Sequence, residues 1–404
     1  MALQPAFGFQ ANELYKSLAN MIIAQEVYGD SIKDMNDDLV SKFKREGSLY
    51  GDSLYFYATN ALESHEFLND LEAQNLLDVD RAKDPEVQKV VLDQFRQIRL
   101  STDQYLSKRA WSNQGAFTQF NSILLSWISN TKRIYDATLI NAYVGTNETS
   151  IGKQEQTVDF TALTSSASTQ EEANRLCGQA VAKKIADILV DIKDPIISKK
   201  YNDYGFYRTY DAGDFIAVFN ADEYNKVLKI DLPTVFNTEG LKLDNFDKVV
   251  LPADYFGVTI TSTNVATYSD ATPAPGKPID SDDKTYTPGV NNANGKICTN
   301  AEISIKVGGT VYHLFPGEEL PAGTVIDSTA DLANGQVAYG TVYIVDKTIL
   351  FKLVHKRSVV FMSAFQTNTE FVNPRALLQT NYLTWGYSKP TKLLNYPYVT
   401  VRKV

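Results

Sequence analysis

The residues best suited to bond-making chemistry in this 404-residue chain are few: three histidines, two cysteines and two short acidic clusters. His65, His313 and His355 lie far apart and none adjoins a nucleophile motif, so each reads as a structural side chain. The chain has no G-x-S-x-G, H-E-x-x-H or C-x-x-C motif and no Walker phosphate loop, so the usual routes from motif to mechanism are closed. Asp78, Asp80 and Asp84, and again Asp280, Asp282 and Asp283, could offer oxygens to calcium. Neither group sits in a loop closed by a bidentate Glu, so both read as hydrated loops. Cys177 falls on an apolar helical stripe and Cys298 in a polar stretch, which gives no disulfide framework and suggests a reduced, intracellular setting. No catalytic, cofactor-binding or metal site is therefore expected.

With chemistry largely set aside, the elements themselves become informative. Between Asn113 and Tyr143, Phe117, Phe120, Leu124, Trp127, Ile128, Thr131, Tyr135, Thr138, Leu139 and Ala142 recur at steps of three and four. The spacing predicts one long amphipathic helix, capped at Ser112 or Asn113 and ended by Gly145. At about 1.5 Å per residue it would reach roughly 45 Å, more than a compact core of ordinary size uses. A second helix opens at a capping box of Ser168 and Glu171, buries Ala173, Leu176, Cys177, Ala180, Val181, Ile185, Ile188 and Leu189, and closes at Asp194 and Pro195.

A 44% hydrophobic, 22% charged composition allows a sizeable core, in two or three subdomains. The net charge of −9 argues against a surface that wraps nucleic acid by general electrostatics. With 23 Tyr and 20 Phe, many semi-polar rings are available for half-buried faces and subunit contacts. Met1 to Tyr28 has no signal-peptide pattern and no run of eighteen apolar residues occurs, so neither conventional secretion nor a membrane span is expected.

Residues Gly47 to Trp111 read as a two-stranded excursion. Ser48 to Thr59 leads out, while Val87 to Gln97 and Leu100 to Leu106 bring the chain back. Its intervening stretch is acidic and poor in core-sized clusters, so the aromatics Tyr50, Tyr55, Phe56, Tyr57, Phe67, Phe95 and Tyr105 are expected to be covered by another subunit. Phe215 to Phe219 is a buried strand running into Asn220, which caps a short helix with Tyr224, Val227 and Leu228; Lys248 to Leu251 is another strand. Asn264 to Thr299 is rich in Pro, Gly, Asn and Asp and reads as an inserted surface loop or small β module, within about 264–312. Val342 to Val345 and Ile349 to Val354 read as a hairpin turning at Asp346 and Lys347, followed by strands at Val359 to Met362, Leu377 to Trp385 and Tyr396 to Val401. From Thr348 onward eight Lys or Arg face one acid, Glu370, and the simplest reading of this basic sheet is a solvated face, with an acidic neighbour or nucleic acid as the alternatives.

The order of these elements, together with Val345-Asp346-Lys347 ahead of an apolar strand, Asn220-Ala221-Asp222-Glu223 after another and Asn373-Pro374-Arg375 ahead of the aromatic strand Tyr382 to Tyr387, resembles the tailed-bacteriophage major capsid protein of the HK97 fold, closest to phi29-like short-tailed phages. The resemblance implies an α+β, HK97-like fold: an N-terminal arm over 1–45, an extended loop over 46–110, a peripheral domain over 111–167 and 346–404 with its spine helix at 113–145, and an axial domain over 168–345. It implies self-assembly as pentamers and hexamers into an icosahedral virion head that encloses dsDNA, assembly in the bacterial host cytoplasm, a portal, and a separate scaffolding protein, since no charged helical leader precedes the arm. Arg375 joins the aromatics as an intersubunit contact candidate, and Phe117, Phe120, Leu124, Trp127, Ile128 and Leu139 form the expected core stripe of the spine helix. The competing readings are an encapsulin-like nanocompartment shell, another virion structural protein and an acidic hydrolase.

Overall fold

Phe215–Asn220 is buried at every position, a pattern that only a strand covered on both faces can show. It lies inside a five-stranded sheet with the order Glu155–Val158, Tyr398–Lys403, Ile349–His355, Phe215–Asn220, Asp247–Leu251. Alternate side chains divide between two cores. Ile216 and Val218 join Ile128, Tyr135, Leu139, Ile140 and Val144 of the long helix, while Phe215, Ala217 and Phe219 join Cys177, Val181, Ile185 and Ile188 of the second helix. The sheet is thus the middle layer between the two helices. The computed structural model describes residues 37–46, 53–64, 83–103, 114–224, 247–264, 285–286 and 296–404.

The long helix runs Gln114–Thr146, 33 residues, or about 50 Å at the usual rise. Gly145 does not end it. It lies within the last turn, where an added Cβ would run into the backbone carbonyl of Tyr255, so glycine serves close approach rather than a left-handed cap. The second helix, Gln170–Asp191, has the expected capping box displaced by one residue: Thr169 Oγ1 accepts from Glu172 N at 3.2 Å, and the Glu172 carboxylate accepts from Ser168 N at 3.0 Å. Asp194 does not close this helix but caps the next turn, Pro195–Ser198.

One expected core residue is misplaced by the sequence reading. Trp127 is 63% exposed, whereas Ile128 and Leu139 are each 7% exposed. Steps of three and four admit two neighbouring stripes, and the buried one follows Ile128, Lys132, Tyr135 and Leu139, about 100° around the helix from Trp127. Lys132 can occupy that stripe because its ammonium meets Asp136 at 2.8 Å and lies 5.8 Å from the centre of the Trp385 ring. Trp127→Ala is therefore expected to change subunit stability by no more than about 0.5 kcal/mol, as a surface substitution does; denaturant unfolding of the unassembled subunit checks this, and a loss of several kcal/mol would place the ring inside. The side chains of Phe117, Phe120 and Leu124 lie outside the described residues.

A second five-stranded sheet is built around Val359–Asn373 and Leu378–Tyr387. The former strand is far longer than its apolar start suggests, since Thr-rich alternation carries it on to Asn373. Gln94–Asp103 pairs with Leu378–Tyr387 along ten residues, so the second half of the expected excursion is built into this ribbon. Leu383, Trp385 and Tyr387 turn towards the long helix, where Tyr135 meets the Trp385 and Tyr387 rings edge-on at 5.9 and 5.4 Å. Among the described residues of the excursion, Ser53–Ala58 and Glu86–Val91 remain as a two-stranded hairpin.

Val342–Val345 and Ile349–His355 do not form the expected hairpin. The first pairs with Ile297–Thr299 and Gly257–Thr259, the second belongs to the central sheet, and the turn between them passes the chain from one sheet to the other. Ile297–Thr299, Val342–Val345 and the short strands between them enclose a separate core of Ile260, Ile297, Ile305, Leu314, Leu320, Ile326, Val337, Val342 and Ile344. Of the two readings of 264–299, the small β module fits and the surface loop fails at its end: Ile297 and Cys298 are 1% exposed and Thr299 is 0% exposed. Polar composition concealed the strand because its cover comes from residues beyond 300.

Candidate functional site

The hairpin Ser53–Ala58/Glu86–Val91 has two chemically distinct faces, as the alternation of a strand requires. Leu54, Phe56 and Val90 pack on Val360, Leu393 and Tyr396 of the same subunit. Phe56 therefore faces inward, contrary to its expected contact with a neighbour, because it stands on the other side of the strand from Tyr55 and Tyr57. On the outer face Tyr57 opposes Val87, Tyr55 opposes Lys89 and Ser53 opposes Val91. Tyr57 is 68% exposed and Tyr55 52%, and Val87 and Val91 are also open to solvent. The Lys89 ammonium lies 5.5 Å from the Tyr55 ring centre.

Val87 and Val91 escaped the sequence reading, although period-two alternation from Lys89 would have placed them beside the tyrosines. Phe95 is exposed where the return strand joins the ribbon, its ring lying against Gly386. Arg375 is exposed at the ribbon's far turn, where the Asn373 carboxamide accepts its backbone N–H at 3.1 Å. Tyr50, Phe67 and Tyr105 lie outside the described residues. The expected contact residues thus fall at several places: the hairpin's outer face, the root of the ribbon and its tip.

The basic C-terminal strands are not a solvated face. Lys352, wholly buried, donates to the Asn147 carbonyl at 2.9 Å and lies 3.6 Å from Glu148. Burial pushes its ammonium down to about 8, opposed by the Glu148 charge. Arg402 binds Glu148 at 2.6 Å, Glu155 at 3.2 Å and also Asp346. Lys403 meets Glu223 at 2.6 Å, Lys356 meets Asp247 at 3.2 Å, and Lys392 meets Asp203 at 2.9 Å. Among the described residues, carboxylates of the same subunit meet five of the eight cations.

The residues first weighed for chemistry take structural roles where they are described. His355 is buried, stacked on Tyr396 at 4.7 Å, and accepts the Arg357 backbone N–H at 3.1 Å; burial holds it neutral, down to about 4. His313 shares a hydrogen bond of 2.8 Å with Ser304 on an exposed hairpin. Cys298 is not in a polar loop but under Tyr343, its thiol pushed up to about 12 chiefly by burial, and Cys177 is buried against the second helix's core. Asp84 is exposed; Asp78, Asp80, Asp280, Asp282, Asp283 and His65 lie outside the described residues. Among the described residues no group of three His, Cys, Asp or Glu could hold a metal ion, and no helix is long and apolar enough to cross a membrane.

Solved structures share this arrangement of elements. A chain in the capsid structure of Staphylococcus phage Andhra matches with a TM-score of 0.53 at 10% identity, covering 93% of this chain and 87% of that one. A chain in a structure of the head fiber and inner core protein gp22 of native bacteriophage P68 matches with a TM-score of 0.51 at 11% identity, covering 89% and 83%. At such identities the likeness establishes the fold, a mixed helix and strand architecture found in phage capsids. No curated protein sequence matches the chain. The family described as Phi29-like phage major capsid protein matches residues 4–392, nearly the whole length, and the chain belongs to that family: it is a structural protein of the phage capsid.

Proposed function

We propose that this subunit closes into an icosahedral shell of pentamers and hexamers by laying the outer face of the Ser53–Ala58/Glu86–Val91 hairpin on a neighbouring copy. The observation that carries the reading is the contrast between the faces: one anchored in its own subunit, the other presenting Tyr55, Tyr57, Val87 and Val91 to solvent. A repeated subunit gains stability from contacts made many times, so an apolar face without a partner in the monomer is expected at such a place. In this reading the hairpin is the extended loop, Gln114–Thr146 the spine helix, the strands Val359–Asn373 and Leu378–Tyr387 belong to the peripheral domain, and Phe215–Asn220 with the module around Ile297–Val345 belongs to the axial domain. The subunit acts by geometry rather than by turnover. A scaffolding protein and a portal are separate partners, assembly takes place in the host cytoplasm, and packaged dsDNA meets the inner face without sequence preference.

Electron microscopy and sedimentation of the purified protein, alone and with scaffolding protein, test this. Closed shells or capsomers are the expected result. A monodisperse monomer at high concentration under both conditions would overturn it.

A further inference from the structure

The hairpin is joined to the rest of the subunit through a buried polar node. Gln88 stands on the hairpin's inner face, and its carboxamide bonds the backbone on both sides of Leu393: Nε2 donates to the Lys392 carbonyl at 2.6 Å and Oε1 accepts from Leu394 N at 3.1 Å. It holds that segment as a neighbouring strand residue would. The segment is itself fixed from beneath. Lys392 Nζ donates to both Asp203 oxygens, at 3.0 and 2.9 Å, and to Gln154 Oε1 at 3.0 Å, while Gln154 Nε2 donates to Asp203 at 2.6 Å. Asp203 N donates to the Leu394 carbonyl at 2.8 Å. The side chains of Lys392 and Asp203 are 8% and 10% exposed, so the pair is shielded from salt and water. The same node reaches the long helix, since the Lys392 ammonium and that of Lys352 each lie 5.8 Å from the ring centre of Tyr398, whose hydroxyl donates to the Val144 carbonyl in the helix's last turn.

We propose that Gln88 and the Lys392–Asp203–Gln154 node form an orientation lock, which sets the angle at which the hairpin leaves the subunit and so the curvature of the shell. These are positioning residues: none lies on the outer face that meets the neighbour. The apolar patch of Leu54, Phe56 and Val90 is non-directional, whereas paired hydrogen bonds from a planar amide are directional. The other directional ties, Tyr207 N to Asn60 Oδ1 at 3.0 Å, Arg208 to the Thr59 carbonyl and Lys389 N to Asp93 Oδ1 at 3.2 Å, lie beyond the strand ends rather than within the hairpin. The part of the proposal concerning shell curvature rests on the hairpin's intersubunit role.

Gln88→Leu keeps the volume and removes both bonds. In the full-length unassembled subunit, hydrogen exchange is expected to run about tenfold faster at the hairpin amides and to be unchanged in Ile349–His355. On assembly the particles are expected to show a broadened or shifted diameter by electron microscopy, with the unfolding midpoint of the subunit little altered. Lys392→Met is expected to give the same two signatures, and Lys392→Arg, which can still bind Asp203, to restore the diameter. If Lys392→Met does not fold, Gln88→Leu carries the test by itself. Unchanged hairpin exchange in Gln88→Leu overturns the lock, and faster exchange with native particle diameters overturns its control of curvature. Normal shells from Tyr55→Asp/Tyr57→Asp overturn instead the intersubunit reading, so the two failures are distinguishable.

Discussion

A subunit carrying Tyr55→Asp and Tyr57→Asp is expected to fold normally and to build no shell. Both rings are more exposed than buried, so their loss removes little packing within the subunit. Across an interface the same two positions would bring a pair of carboxylates out of water with only Lys89 opposite Tyr55 to offset one of them. Burying an unpaired charge costs several kcal/mol, and the penalty recurs in every copy. Shell yield by sedimentation, with circular dichroism to verify folding, gives the comparison. Phe56→Asp is the informative contrast: Phe56 packs inward with Leu54 and Val90, so that variant should loosen the hairpin within the free subunit. Native shell yield from the double variant would mean that the outer face meets no neighbour.

Deleting residues 264–299 is expected to be severely destabilising, even though composition makes the segment look dispensable. The deletion takes away Ile297–Thr299, which pairs with Val342–Val345, and Thr285–Tyr286, which pairs with Thr324–Asp327. Ile297 alone sits in a nine-residue core, and truncating a buried Ile to Ala costs about 2–5 kcal/mol; losing the whole strand should exceed that. The expected result is an insoluble or protease-sensitive product, read by soluble yield and limited proteolysis. A deletion variant with the native unfolding midpoint would show that the module's core does not depend on this strand.

The sequence revealed elements whose signals are local. Periodicity located both helices because each buries a stripe of its own, and the buried run at Phe215 stood out because both faces of that strand are covered. What it could not reveal were relations between distant residues. Phe56 and Tyr57 are adjacent and equally aromatic, and only the pairing with Glu86–Val91, set by packing on Val360 and Leu393, decides which one faces out. The basic strands looked uncompensated because their carboxylates come from far upstream: Asp203 for Lys392, Glu223 for Lys403, and Glu148 and Glu155 for Arg402. Trp127 misled for a different reason, since a helix with two adjacent apolar stripes does not announce which one its sheet will take.

The chain enters and leaves the module enclosing Ile297 along one seam of adjacent strands. Gly257–Thr259 and Val342–Val345 are antiparallel partners, and beyond them Ile260 N donates to the Val342 carbonyl at 2.9 Å while Gly340 N donates to the Ile260 carbonyl at 2.7 Å. The two ends of this segment are therefore already zipped together, with Arg96, which donates to the Glu302 carbonyl at 2.8 Å, as a further tie, so the scaffold below spans no gap whatever the length of the intervening chain. Such a seam is a natural exchange point for recombination. An insertion or shortening between these two ends would leave the sheets below joined as they are.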